Sequence, residues 1–111
     1  LSGRASVENP LVVSKSDLRL KPGEQTVIAI GYLNAVSPPA SLTNVKLELS
    51  GITKSDITQD TAVKTILTGE VRNWKIILKA KDTASGSEVG EIKVSVGSTE
   101  KGSVPISVTY I

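Results

Sequence analysis

The stretch Gln25-Thr26-Val27-Ile28-Ala29-Ile30-Gly31-Tyr32-Leu33 decides the fold. Ile28, Ile30 and Tyr32 fall on one side of an extended chain and Val27, Ala29 and Gly31 on the other, the period of two that belongs to strands. The second side is small enough for a strand in the middle of a sheet. Just before it stands Lys21-Pro22-Gly23-Glu24. Pro presets φ at the second position of a turn and Gly supplies the φ > 0 that a type II turn needs at the third.

Outward from this strand the same alternation returns. Upstream, residues 17–20 (DLRL) form a short strand. Residues 7–13 form another, broken by Pro10, which cannot donate to a ladder and so marks an edge strand that switches sheets at the kink. Downstream, the loop NAVSPPAS at 34–41 leads into 42–49, with Val45, Leu47 and Leu49 inward. In 73–81, Trp74, Ile76, Leu78 and Ala80 alternate with Lys75, Ile77, Lys79 and Lys81. DTASGSE at 82–88 reads as a flexible loop. Residues 89–96 place Ile92, Val94 and Val96 on one face, and Val104, Ile106, Val108 and Tyr110 close the chain on one face. Residues 52–68 admit either a short helical turn or one or two short strands. About seven strands, with turn signals every 8–12 residues or so, predict an all-β fold: an immunoglobulin-like β-sandwich of about seven antiparallel strands. Its expected core is Ile28, Ile30, Tyr32, Val45, Leu47, Trp74, Ile76, Leu78, Ile92, Val94, Ile106 and Val108.

Residues 1–111 suit one domain. With 39% hydrophobic and 22% charged residues the chain is neither disordered nor a membrane segment, and no apolar run approaches the roughly 20 residues of a spanning helix. The chain starts at Leu1 and contains no methionine, so a mature or excised fragment is expected, with any targeting or anchoring segment outside it. A net charge of +2 is too small to argue for nucleic acid or membrane binding.

The residues 18–27 (LRLKPGEQTV), then Tyr32-Leu33-Asn34, then 42–49 (LTNVKLEL) resemble the prokaryotic extracellular immunoglobulin-like modules of the NEW3-type and CARDB-like families. Their pattern is a proline-glycine-acid turn, a strand ending in Asn, a loop, and a strand opening on Thr-Asn-Val. Residues 89–96 resemble their penultimate strand. The chain departs from the NEW3 pattern in having no Trp in 52–60; its Trp74 lies further on. The resemblance implies an extracellular or cell-surface module acting as spacer, stalk or adhesion domain of a larger protein, without catalytic residues to transfer.

Catalytic parts are scarce. The chain has no His and no Cys, which excludes Ser-His-Asp and Cys-His arrangements and leaves zinc almost without ligands. A Ser-Lys dyad is formally open, but abundance is not geometry. The acids Asp17, Glu24, Glu48, Asp56, Asp60, Asp82, Glu88 and Glu91 are scattered over turns and outward strand positions, as solvated surface acids are. Gly86-x-x-x-Gly90 precedes no helix and cradles no phosphate. Calcium needs only oxygen ligands, for which Asp56 with Asp60, or Asp82 with Glu88, are the available pairs; neither has EF-hand spacing. No enzyme activity, no metal and no cofactor are expected. Sugar binding wants exposed aromatic platforms, whereas Trp74 and Tyr32 point to the core and only Tyr110 is more open.

One surface is biased. Between 64 and 81 the cations Lys64, Arg72, Lys75, Lys79 and Lys81 face the single acid Glu70. Arg72, Lys75, Ile77, Lys79 and Lys81 are the candidate partner-binding residues, a basic stripe suited to an acidic partner or a polyanionic cell-wall polymer. The favoured reading of the stripe is nevertheless an edge strand whose lysines guard against aggregation. Without interleaved aromatics, nucleic-acid binding is not expected. Expected partners are other proteins or neighbouring domains of the same polypeptide, with self-association through strand edges as the alternative for an assembly domain of an archaeal or bacterial surface appendage or S-layer. Membrane contact is expected only through an anchor outside the sequence.

Overall fold

A computed structural model describes residues 10–59 and 63–111. They form β1 (Leu11–Val13), β2 (Asp17–Leu20), β3 (Gln25–Leu33), β4 (Leu42–Ser50), β5 (Ser55–Gln59), β6 (Lys64–Ile66), β7 (Val71–Ala80), β8 (Gly86–Val96) and β9 (Thr99–Tyr110). One sheet runs β1-β3-β7-β5 and the other β2-β9-β8-β4-β6. The expected β-sandwich is present, with more strands than the seven the alternation marked because 52–68 holds both β5 and β6. One pairing departs from the all-antiparallel expectation: β2 lies parallel to β9. A chain that leaves one sheet and joins the other while running in the same direction arrives parallel to the last strand.

That switch comes later than Pro10. Pro10 still accepts from Leu33 N–H on the first ladder, and Ser14 N–H still donates to the Ala29 carbonyl, whereas Ser16 accepts from Ser107 N–H on the second. The crossing therefore falls at 14–16, where the Ser14 hydroxyl takes the Ala29 N–H. Residues 7–9 of the expected first strand, and Asp60 of the acid pairs, lie outside the described residues.

The turn before β3 closes as its residues dictate. Gly23 has φ 82°, and Glu24 N–H donates to the Lys21 carbonyl while Lys21 N–H donates to the Glu24 carboxylate at 2.8 Å. All twelve expected core side chains are buried, none more than 6% exposed, joined by Leu18 and Leu20 from β2. Each contributes about 1.5–3 kcal/mol by leaving water. Gly90 permits the closest backbone approach: a Cβ there would stand 2.6 Å from the Ser50 carbonyl oxygen and 2.7 Å from Ile52 Cγ1.

The loop at 34–41 is held by Asn34, which is 1% exposed. Its Nδ2 donates to the carbonyls of Ala40 and Ile66, and its Oδ1 accepts from Val36 N–H. Its backbone bonds Glu70 and Gly69. One buried amide thus joins the end of β3, the loop and the β6–β7 connection, and none of its polar groups lacks a partner.

Candidate interaction face

The outward residues of β3, β7 and β5 lie in cross-strand rows. Gln25 stands beside Lys79, which stands beside Asp56; Val27 stands beside Ile77, which stands beside Thr58; Ala29 stands beside Lys75. The rows place an apolar strip, Val27 (40% exposed), Ala29 and half-buried Ile77, between two ammonium groups. A shallow groove of about 570 Å³ opens beside it, lined by Ala29, Asn73, Lys75, Ile77 and Thr58. Among the described residues neither Lys75 nor Lys79 forms an ion pair, whereas on the opposite sheet Lys93 is held by Glu91 (3.4 Å) and Glu100 (3.9 Å).

Of the five candidate residues the structure brings three together. Lys75, Ile77 and Lys79 share this face. Arg72 has the inward parity of Trp74, opposite Tyr32, and its Nε is engaged by the Glu70 carboxylate (3.2 Å) and the Thr65 carbonyl (3.3 Å). Lys81 lies beyond the end of β7. Lys64 sits on β6, its ammonium 5.8 Å from the Trp74 ring centroid. The edge-protection reading does not apply to β7, because β3 and β5 pair with it on either side. Its lysines are on a face, not an edge.

A second polar cluster closes one end of the sandwich, and periodicity gave no sign of it. Glu88 Oε1 accepts from Thr53 N–H (2.9 Å) and the Thr53 hydroxyl (3.1 Å). Its Oε2 accepts from Lys54 N–H (2.9 Å) and the Tyr110 hydroxyl (2.7 Å). Since the Tyr110 proton points to Glu88, the Ser55 hydroxyl donates in turn to Tyr110 at 2.7 Å. Tyr110, expected to be open, is only 7% exposed. Burial raises the Glu88 pKa, but bonds from Tyr110, Thr53 and Lys54 outweigh it and leave the carboxyl below its ordinary value. Burial, then the bond to Glu88, pushes Tyr110 up to about 12. Ser55 donates to a phenol that resists ionisation, so Tyr110 does not serve it as a base. The cluster works as a clasp between β8, β9 and the β4–β5 connection. It also occupies the carboxylate that the Asp82–Glu88 calcium pair would need. Among the described residues no group of three or more acids gathers into a metal site.

No family model matches the chain, and no curated protein matches it. Solved structures do resemble it. WR4, an MSP family member of C. elegans, superposes with a TM-score of 0.60 at 8% identity, over 92% of this chain and 98% of that one. The FixG-related protein of Vibrio parahaemolyticus superposes with a TM-score of 0.59 at 15% identity, over 92% and 95%. At such identities the likeness is one of fold, and the chain is an immunoglobulin-like β-sandwich.

Proposed function

We propose that this domain is a noncatalytic protein-interaction module of an extracellular or cell-surface protein, and that the outer face of β3, β7 and β5 receives an acidic, partly apolar segment of a partner protein. The observation that carries the reading is the pair Lys75 and Lys79 flanking Ile77 and Val27, with no acid bound to either ammonium among the described residues. A partner carboxylate at each lysine gains modestly, about 0.2–1 kcal/mol per exposed pair. Affinity would come mainly from covering the apolar strip, while the lysines set orientation and association rate. The resemblance of residues 18–27, 32–34, 42–49 and 89–96 to NEW3-type and CARDB-like modules supports the surface setting and a role beside other domains.

The test is calorimetric titration of the protein with an acidic-apolar peptide library, repeated with Lys75→Glu/Lys79→Glu. Selected peptides should bind wild type with an affinity that falls as salt rises, and the charge-reversed protein should bind at least about tenfold more weakly. Equal affinity for both proteins would remove this face from the interaction. Protease shaving of intact source cells tests the surface setting: resistance of the epitope while other surface proteins are cut would place the module elsewhere.

A further inference from the structure

The open edge of β5 and the part of β9 that β2 leaves uncovered are not equivalent. Within a strand, the N–H and C=O of one residue point to the same side, and successive residues alternate. In β9, Ser107 N–H and Ile111 N–H donate to the carbonyls of Ser16 and Leu20, so odd-numbered residues face β2. β2 covers only Ser107 to Tyr110. Ahead of it the edge offers Ser103, then Pro105 without a donor, and Lys101 at a bulge. Proline, lysine and a bulge are the devices that blunt an edge.

β5 carries none of these devices. Lys81 N–H donates to the Lys54 carbonyl, while Ala80 exchanges both its backbone bonds with the turn before β3. Even-numbered residues of β5 therefore face β7. Ser55, Ile57 and Gln59 turn three N–H and three C=O groups away from it, and among the described residues no strand meets them. Ile57, of inward parity opposite buried Leu78, is left 36% exposed.

We propose that this edge pairs with itself: two copies of the chain join antiparallel along β5, with Ile57 at the twofold axis. Antiparallel pairing centred on residue 57 sets Ile57 against Ile57 of the second copy, and Ser55 against its Gln59. All three positions are the edge-facing ones, and the central Ile57 pair carries the contact, because Ser55 is only 5% exposed and Gln59 half-buried. The same register sets Asp56 opposite Thr58, so no like charges face each other, and each half-exposed Ile57 side chain covers the other. A sheet-to-sheet dimer through the outer face would instead oppose Lys75 and Lys79 to their own copies. The isologous geometry closes on two. Five residues a side make an interface below the standard size, so the pairing is weak in free solution and strengthens where copies are tethered together.

Sedimentation of the whole chain up to about 2 mM tests this, with dissociation constants expected on the order of 0.1–1 mM. Ile57→Pro discriminates well, because Ile57 N–H is not used by β7 and proline is tolerated where an edge N–H faces solvent. It should keep the folded signal of Trp74 and weaken association about tenfold or more by removing both central bonds. The chain has no cysteine, so Ile57→Cys gives an independent readout. Directly paired residues have Cα atoms ~5.5 Å apart, within disulfide reach. Under mild oxidation Ile57→Cys should dimerise at least about tenfold faster than Val89→Cys, a more exposed position (67%) on the other sheet. A monomer at every concentration, a dimer indifferent to Ile57→Pro, or equal oxidation rates would overturn the proposal. So would protection of the Ile57 amide only on adding another protein's peptide, which would give the edge to a foreign strand.

Discussion

Replacing Glu88 should unfasten one end of the sandwich, and the size of the effect follows from which donors it leaves behind. Glu88→Ala removes the acceptor for Thr53 N–H, the Thr53 hydroxyl, Lys54 N–H and the Tyr110 hydroxyl. The two Thr53 groups are exposed and rebond to water at little cost. Lys54 N–H and the Tyr110 hydroxyl are partly buried and do not. Hydrogen bonds to a charged acceptor contribute about 1.5–3 kcal/mol each, and the desolvated donors left behind cost a comparable amount. Allowing for water entry at this half-exposed site, the expected loss is about 2–4 kcal/mol, a large part of a small domain's stability. Glu88→Gln keeps one carbonyl acceptor but presents an NH₂ to a cluster of donors, and should lose about 1–2 kcal/mol.

The assay is urea unfolding followed by fluorescence of Trp74, the sole tryptophan and 2% exposed. The pH dependence isolates the carboxylate from any general loosening. The Glu88 pKa is lowered from its ordinary 4.5 in the folded state, so the unfolded chain binds the proton more readily. Its contribution is complete above that ordinary value and is lost as pH falls through the lower folded pKa. The stability gap between wild type and Glu88→Gln should therefore be full at pH 7 and shrink below pH ~4.5. A gap that stays constant from pH 7 to pH 3, or a Glu88→Ala loss under ~0.5 kcal/mol at pH 7, would refute the clasp.

Two further outcomes follow from the same contacts. Tyr110 is raised from 10.0 to about 12, so its stabilisation is complete below pH 10.0 and is lost as pH rises towards 12. Tyr110→Phe should lower stability at pH 7 and flatten the alkaline limb, as measured by urea midpoints from pH 8 to 11.5. Asn34→Ala leaves the Ala40 and Ile66 carbonyls and the Val36 N–H without their buried partner. A loss of about 2–4 kcal/mol is expected, with faster amide exchange at Val36 and Gly69. Unchanged exchange there would mean that the loop is held by its backbone alone.

What could be read from the chain alone was whatever repeats. Ile28, Ile30 and Tyr32 declare a buried side because burial on one face of a strand imposes a period of two, and every such residue points the same way. The Lys21–Glu24 turn was legible because only a few residue types tolerate its backbone. Strand order has no such local signature. Whether Lys75 and Lys79 guard an edge or furnish a face depends on β3 and β5 flanking β7, pairings between residues far apart in the chain. The parallel approach of β2 to β9 and the late switch at 14–16 are hidden for the same reason.

The clasp shows the limit most sharply, since Glu88 lies 35 positions from Thr53 and 22 from Tyr110. As letters, Glu88 is one of many outward acids and Tyr110 a residue next to the end of the chain. Only when β8 and β9 pair, Glu88 beside Val108 and Gly86 beside Tyr110, do the carboxylate and phenol come within one hydrogen bond. The β5 edge obeys the same rule from the other side. Ser-Asp-Ile-Thr-Gln announces no interface, and Ile57 becomes notable only once Ala80 is seen to spend both backbone bonds on the β3 side, which turns Ser55, Ile57 and Gln59 outward. Side-chain periodicity records which face is buried. Backbone parity, which decides where a sheet can still grow, is a property of the pairing.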